Sequence, residues 1–160
     1  MKKTVIIGLA EMSVEKAPNR ITTLGLGSCV GVTLYDRVSK IGGMVHIVLP
    51  EGGNTPGAVP AKYADTAVNA LLNEMLRAGA NRSTIVAKMA GGAHMFGKIG
   101  VGDGLKVGDR NAYKSKLAIL KLHIPIVAED LGGTYGRTIE LDTEDGSLLI
   151  KTVGKGSKVV

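Results

Sequence analysis

The sequence predicts a single α/β domain, a sandwich of mostly antiparallel sheet carrying two main helices. Short apolar, β-branched runs bounded by turn residues recur along the 160 residues, whereas helical spacing occurs at only two separated places. Strands therefore do not alternate strictly with helices, as a doubly wound parallel sheet would require. A hydrophobic fraction of 44% is ample for one core in a chain of this length. The 23 glycines follow no fixed period, so collagen-like and low-complexity readings fail. No repeat or linker divides the chain, and residues 1–160 are expected to form one domain.

Taken in order, Thr4 to Leu9 and Ile21 to Leu26 read as strands separated by turn-forming residues such as Pro18-Asn19. Cys29 to Tyr35 and Gly43 to Leu49 are two more, joined by the polar link Asp36 to Lys40, and they predict an antiparallel pair. Pro50 to Gly57 is a loop by composition, long enough to flank a site. From Ala61 to Ala78 the residues Ala64, Val68, Leu71, Leu72, Met75 and Leu76 recur at helical spacing until Gly79 and Asn81 stop them. A buried strand, Thr84 to Met89, follows, then a Gly-rich excursion from Gly97 to Gly108. A second helix is expected from about Asp109 to Leu122, with an acidic start that suits its dipole. Ile126 to Glu129, Arg137 to Leu141 and Ser147 to Val153 complete the strands, the last two joined at Glu144-Asp145-Gly146.

Composition narrows the function. The apolar run after Met1-Lys2-Lys3-Thr4 is too short for a signal-peptide core or a membrane span, so a cytosolic, non-inserted protein is expected. One cysteine cannot make an internal disulfide. The net charge of +6 is spread over the chain, with modest clusters at Lys114-Ser115-Lys116 and from Lys151 to Lys158. Four Tyr, one Phe and no Trp offer few stacking platforms, which argues against nucleic acid. One Cys and three dispersed His lack zinc-site spacing, and no G-x-x-x-x-G-K-[ST] phosphate loop occurs, so no metal or cofactor is expected.

The chemistry-bearing stretch is Thr23 to Gly31, reading TLGLGSCVG. Its glycines allow tight turns, and the amides of Gly27, Ser28 and Cys29 are candidate oxyanion donors. The G-x-G-x-x-x-G spacing is one residue off the dinucleotide fingerprint and precedes a strand, where that fingerprint needs a helix. The same strand context demotes a nucleophile elbow with Cys in place of Ser. A cysteine nucleophile needs a base, and three histidines compete. His123 reads as structural, near a helix C-terminus. His94 stands in a pocket-like loop and stays open. His46, otherwise an ordinary core histidine, is preferred because strand pairing would bring it to the same end and face as Cys29. Thr23 is a candidate to orient the imidazole, with a plain strand residue an equal reading.

Those residues, with Gly43-Met44-Val45-His46 and Leu49-Pro50, resemble the CheD family of chemoreceptor glutamine deamidases. Later segments extend the resemblance nearly end to end: Ala87 to Phe96, Val107-Gly108-Asp109-Arg110-Asn111, Ala128 to Gly133 and Gly136-Arg137. The resemblance implies a thiol hydrolase, a protein-glutamine glutaminase, that converts selected glutamines of methyl-accepting chemotaxis receptors to glutamate and releases ammonia. It places catalytic roles on Cys29, His46 and Thr23. It also implies a fold similar to bacterial deamidating toxins and a second partner, the phosphatase CheC. The alternative is a non-catalytic regulatory module that binds CheC and receptors.

Overall fold

The computed structural model describes residues 2–95 and 106–160. Among them ten strands and two α-helices run in the order β1 (Thr4–Ile7), β2 (Met12–Lys16), β3 (Arg20–Leu26), β4 (Val30–Asp36), β5 (Ile41–Ile47), α1 (Ala64–Arg77), β6 (Ile85–Gly91), α2 (Val107–Lys121), β7 (Ile126–Leu131), β8 (Arg137–Asp142), β9 (Leu148–Thr152) and β10 (Gly156–Val159). They form two five-stranded sheets, ordered β1-β3-β8-β9-β10 and β2-β5-β4-β6-β7. All the strand pairings are antiparallel except β1 with β3 and β6 with β7. The α/β sandwich with two main helices is therefore as the sequence predicts.

Both helices lie against one sheet, which gives three layers. One core joins β4, β5 and β6 to α1 and α2 through Val32, Val45, Ile47, Leu71, Met75, Met89 and Ile119. A second fills the space between the sheets, with Ile21, Leu26, Met44, Ala90, Ile139 and Leu141, and Cys29 packs against it. The central strands β4 and β5 are consequently buried at every position. This double covering is why neither strand shows a regular alternation of apolar and polar residues. Alternation along β5 sends Val45 and Ile47 towards the helices and Met44 and His46 towards the other sheet.

α1 buries Ala64, Ala67, Val68, Leu71, Leu72 and Met75 along one stripe, and it ends where Gly79 takes φ +106°. α2 differs: its buried positions are Gly108, Asn111, Ser115 and Ile119, a face that is half polar. The helix begins at Val107, before the expected Asp109, and His123 follows its end with φ +58°. Phe96 and the greater part of the Gly97 to Gly108 excursion lie outside the described residues.

Two strands escape the sequence reading. β2 is a five-residue edge strand with Ser13, Glu15 and Lys16 among only two apolar residues. β10 is exposed throughout and was legible only as part of a basic tail. Edge strands need little apolar content, because just one neighbour pairs with them and water reaches the rest. Among the described residues no helix is long and apolar enough to cross a membrane.

The polar link after β4 is held by Asp36, a buried carboxylate. It accepts from Asn81 N at 2.8 Å, Val38 N at 3.0 Å, and the hydroxyls of Ser39 and Thr84, both at 2.6 Å. Burial alone would raise its pKa, but these donors together outweigh that and hold it far below the ordinary carboxylate range. The stabilisation is complete above the unfolded-state pKa near 3.9 and is lost as pH falls towards the native value. Asp36→Asn is expected to destabilise the protein by about 3 kcal/mol at pH 7. Urea unfolding at pH 7 and pH 3 checks this, since the gap between variant and parent must narrow in acid.

Candidate active site

The sequence-predicted residues converge where β3, β4 and β5 end. In the β4·β5 ladder Gly31 lies opposite His46 and Val30 opposite Ile47. Residues directly opposite share a face, as do residues two apart on a strand, so Cys29 lies diagonally from His46 on the inter-sheet face. Cys29 just precedes β4 and carries a free, half-buried thiol.

Thr23 reaches His46 from the facing sheet. Ile21, Thr23 and Leu26 of β3 are fully buried, and an irregularity between Thr23 and Leu26 lets Leu26 turn inwards after Gly25 at φ +70°. Thr23 Oγ1 lies 2.7 Å from His46 Nδ1 and 2.8 Å from the carbonyl oxygen of Ile7. A carbonyl can only accept, so the single hydroxyl proton goes to Ile7. Nδ1 must then carry a hydrogen and donate it to Thr23. This fixes the tautomer and leaves Nε2 as a bare lone pair, buried and with no hydrogen-bond partner among the described residues. Burial depresses the His46 pKa below its ordinary value and pushes the Cys29 thiol up. Both shifts favour the uncharged forms, thiol and neutral imidazole.

The loop before Cys29 is held by its carbonyls. Gly27 O accepts from Ala93 N at 2.8 Å, Ser28 O from Asn111 Nδ2 at 2.9 Å, and Cys29 O from Gly92 N at 2.8 Å. The amides of Ser28 and Cys29 donate to no backbone oxygen among the described residues. Gly91 is indispensable beside this loop. It has φ +112°, and a Cβ there would stand 2.3 Å from Cys29 O.

His94, the open alternative, is occupied elsewhere. Its Nε2 lies 2.8 Å from Asp109 in the first turn of α2, and its backbone amide donates to Gly133 O. Among the described residues no three His, Cys, Asp or Glu side chains cluster so as to hold a metal ion. Asn111 is the residue whose place sequence reasoning missed. The available signal was a polar side chain on the stripe that α2 buries.

A family profile described as CheD chemotactic sensory transduction matches residues 48–152, a span that begins just after His46. The alignments with curated relatives include all three candidate residues. A protein of Desulfitobacterium hafniense named "Probable chemoreceptor glutamine deamidase CheD" is 47% identical over 160 residues, covering 100% of both chains. "Chemoreceptor glutamine deamidase CheD" of Halalkalibacterium halodurans is 46% identical over 162 residues, again covering 100% of both. Among solved structures, the Bacillus licheniformis hypothetical protein YfiH matches with TM-score 0.49 and 15% identity over 75% of this chain and 49% of that one. With a profile match over more than half its length and such identity from end to end, the chain belongs to the CheD family.

Proposed function

We propose that this chain is a cytoplasmic chemoreceptor glutamine deamidase, its 160 residues acting as one domain, with Cys29 as nucleophile and His46 as general base. One observation carries the reading: Thr23 fixes the His46 tautomer so that an unpartnered Nε2 lies on the face Cys29 occupies. The names of the full-length relatives supply the substrate class.

In this mechanism Cys29 Sγ attacks the glutamine carboxamide carbon while Nε2 takes the thiol proton. The amides of Ser28 and Cys29 receive the oxyanion. Imidazolium returns the proton to the departing nitrogen, ammonia leaves and a thioester remains. Water, deprotonated by the same Nε2, then splits the thioester to glutamate and restores the thiol. No cofactor enters any step.

Exposed apolar side chains adjoin these residues. Leu9 precedes Ala10, whose amide bonds His46 O; Leu24 follows Thr23; and the Met95 side chain lies where a Gly27 Cβ would meet it. Exposed apolar side chains of this kind would suit contact with an amphipathic receptor helix presenting its glutamine to the thiol. The same face would accept CheC, the second partner the family resemblance implies.

Mass spectrometry of a receptor cytoplasmic fragment incubated with the protein tests the proposal. The expected result is a gain of about 1 Da at particular glutamines. Binding of a cognate receptor with no mass gain would instead support the regulatory module.

A further inference from the structure

Asn111 is fully buried on a helix face that otherwise carries small or apolar residues and Ser115. Both hydrogens of its amide are used. Nδ2 donates to Ser28 O and to Val48 O, each at 2.9 Å. Since both partners are carbonyls, the orientation of the amide is unambiguous. Ser28 is the residue before Cys29, and Val48 lies two residues beyond His46. The last ladder pair of β4 and β5 is Val30 with Ile47, so this side chain spans the two strands just where their backbone pairing ends.

The direction of the Ser28 carbonyl has a consequence for its neighbour. In a trans peptide the C=O and the following N–H point opposite ways. With Ser28 O turned to α2, the Cys29 N–H is directed away from that helix, towards the side of the sheet on which His46 lies. The other two carbonyl clamps on this loop come from the backbone amides of Gly92 and Ala93. Asn111 is the side-chain clamp, and so the one a substitution can remove.

We propose that Asn111 is a positioning residue: by tying Ser28 O to Val48 O it holds the Ser28–Cys29 peptide so that Cys29 N–H faces the oxyanion and Sγ faces His46. This rests on Cys29 and His46 being nucleophile and base. The test compares the parent with Asn111→Leu, which keeps the branched shape and removes both donors, and Asn111→Ser, which keeps one donor and leaves room for water. Each is first checked by circular dichroism and cooperative urea unfolding.

In a folded variant kcat on a receptor fragment is expected to fall about 100-fold with KM within about threefold, as for a misplacement near 1 Å. The pH profile of Cys29 alkylation by iodoacetamide should also be displaced. Asn111→Ser should recover part of the loss seen with Asn111→Leu. A folded variant with parental kcat, a loss confined to KM, or an unchanged alkylation profile overturns the proposal. So does failure of both variants to fold, which would make Asn111 a folding determinant instead. If the parent itself does not deamidate, the proposed function falls, while the alkylation profiles still judge whether Asn111 positions the thiol.

Discussion

Cys29→Ala is expected to reduce deamidation of a receptor fragment by about 10⁴-fold or more, to the level that binding and oxyanion donors alone sustain. The chain has no second cysteine to take over. The thiol is half-buried and packs against the inter-sheet core, so its loss should cost about 1 kcal/mol and leave the fold intact. Initial rates of ammonia release, with unfolding curves of parent and variant, separate the two effects. A folded Cys29→Ala protein with near-parental turnover would remove thiol chemistry from the mechanism. Receptor binding should survive the substitution, because the exposed apolar side chains of Leu9, Leu24 and Met95 are untouched.

His46→Ala should lower kcat by about 10³-fold, since the thiol is held neutral by burial and needs a base to release its proton. Thr23 would keep its bond to Ile7 O in this variant, which preserves the β1–β3 contact. Thr23→Val leaves the base in place but removes the acceptor for Nδ1–H, freeing the other tautomer. Its loss should be about ten- to a hundredfold, below that of the base itself. The pH profile gives an independent check. Burial makes the charged imidazolium costly and places the His46 pKa below 6.5, so kcat/KM should hold at neutral pH and fall only as acid protonates the ring below that point. An acid limb centred above 6.5 would assign the base to another group, and equal losses in His94→Ala would point to that residue.

Much of the site was legible early because its parts lie on strands with a fixed period. The apolar runs containing Cys29 and His46 predicted an antiparallel pair, and a pair of known register decides which side chains share a face. The glycines of the nucleophile loop were equally visible. Asn111 was not, since nothing local relates a helix residue to Ser28 and Val48, 83 and 63 positions away. Nor was the fate of His94: a histidine after Gly-Gly-Ala reads the same whether it faces a thiol or, as here, Asp109 at the start of α2.

Strand periodicity in the central sheet, the two helices, the lone thiol and the family resemblance could all be read along the chain, because local patterning and residue identity are properties of short segments. That both helices cover one sheet emerges in three dimensions alone. So does the meeting of Thr23 with His46 across two sheets, in an order that leaves Nε2 bare. Hydrogen-bond direction at a histidine depends on every neighbour competing for one hydroxyl proton. Here that competitor is the carbonyl of Ile7, contributed by a strand 16 residues away from Thr23 and paired with it in parallel.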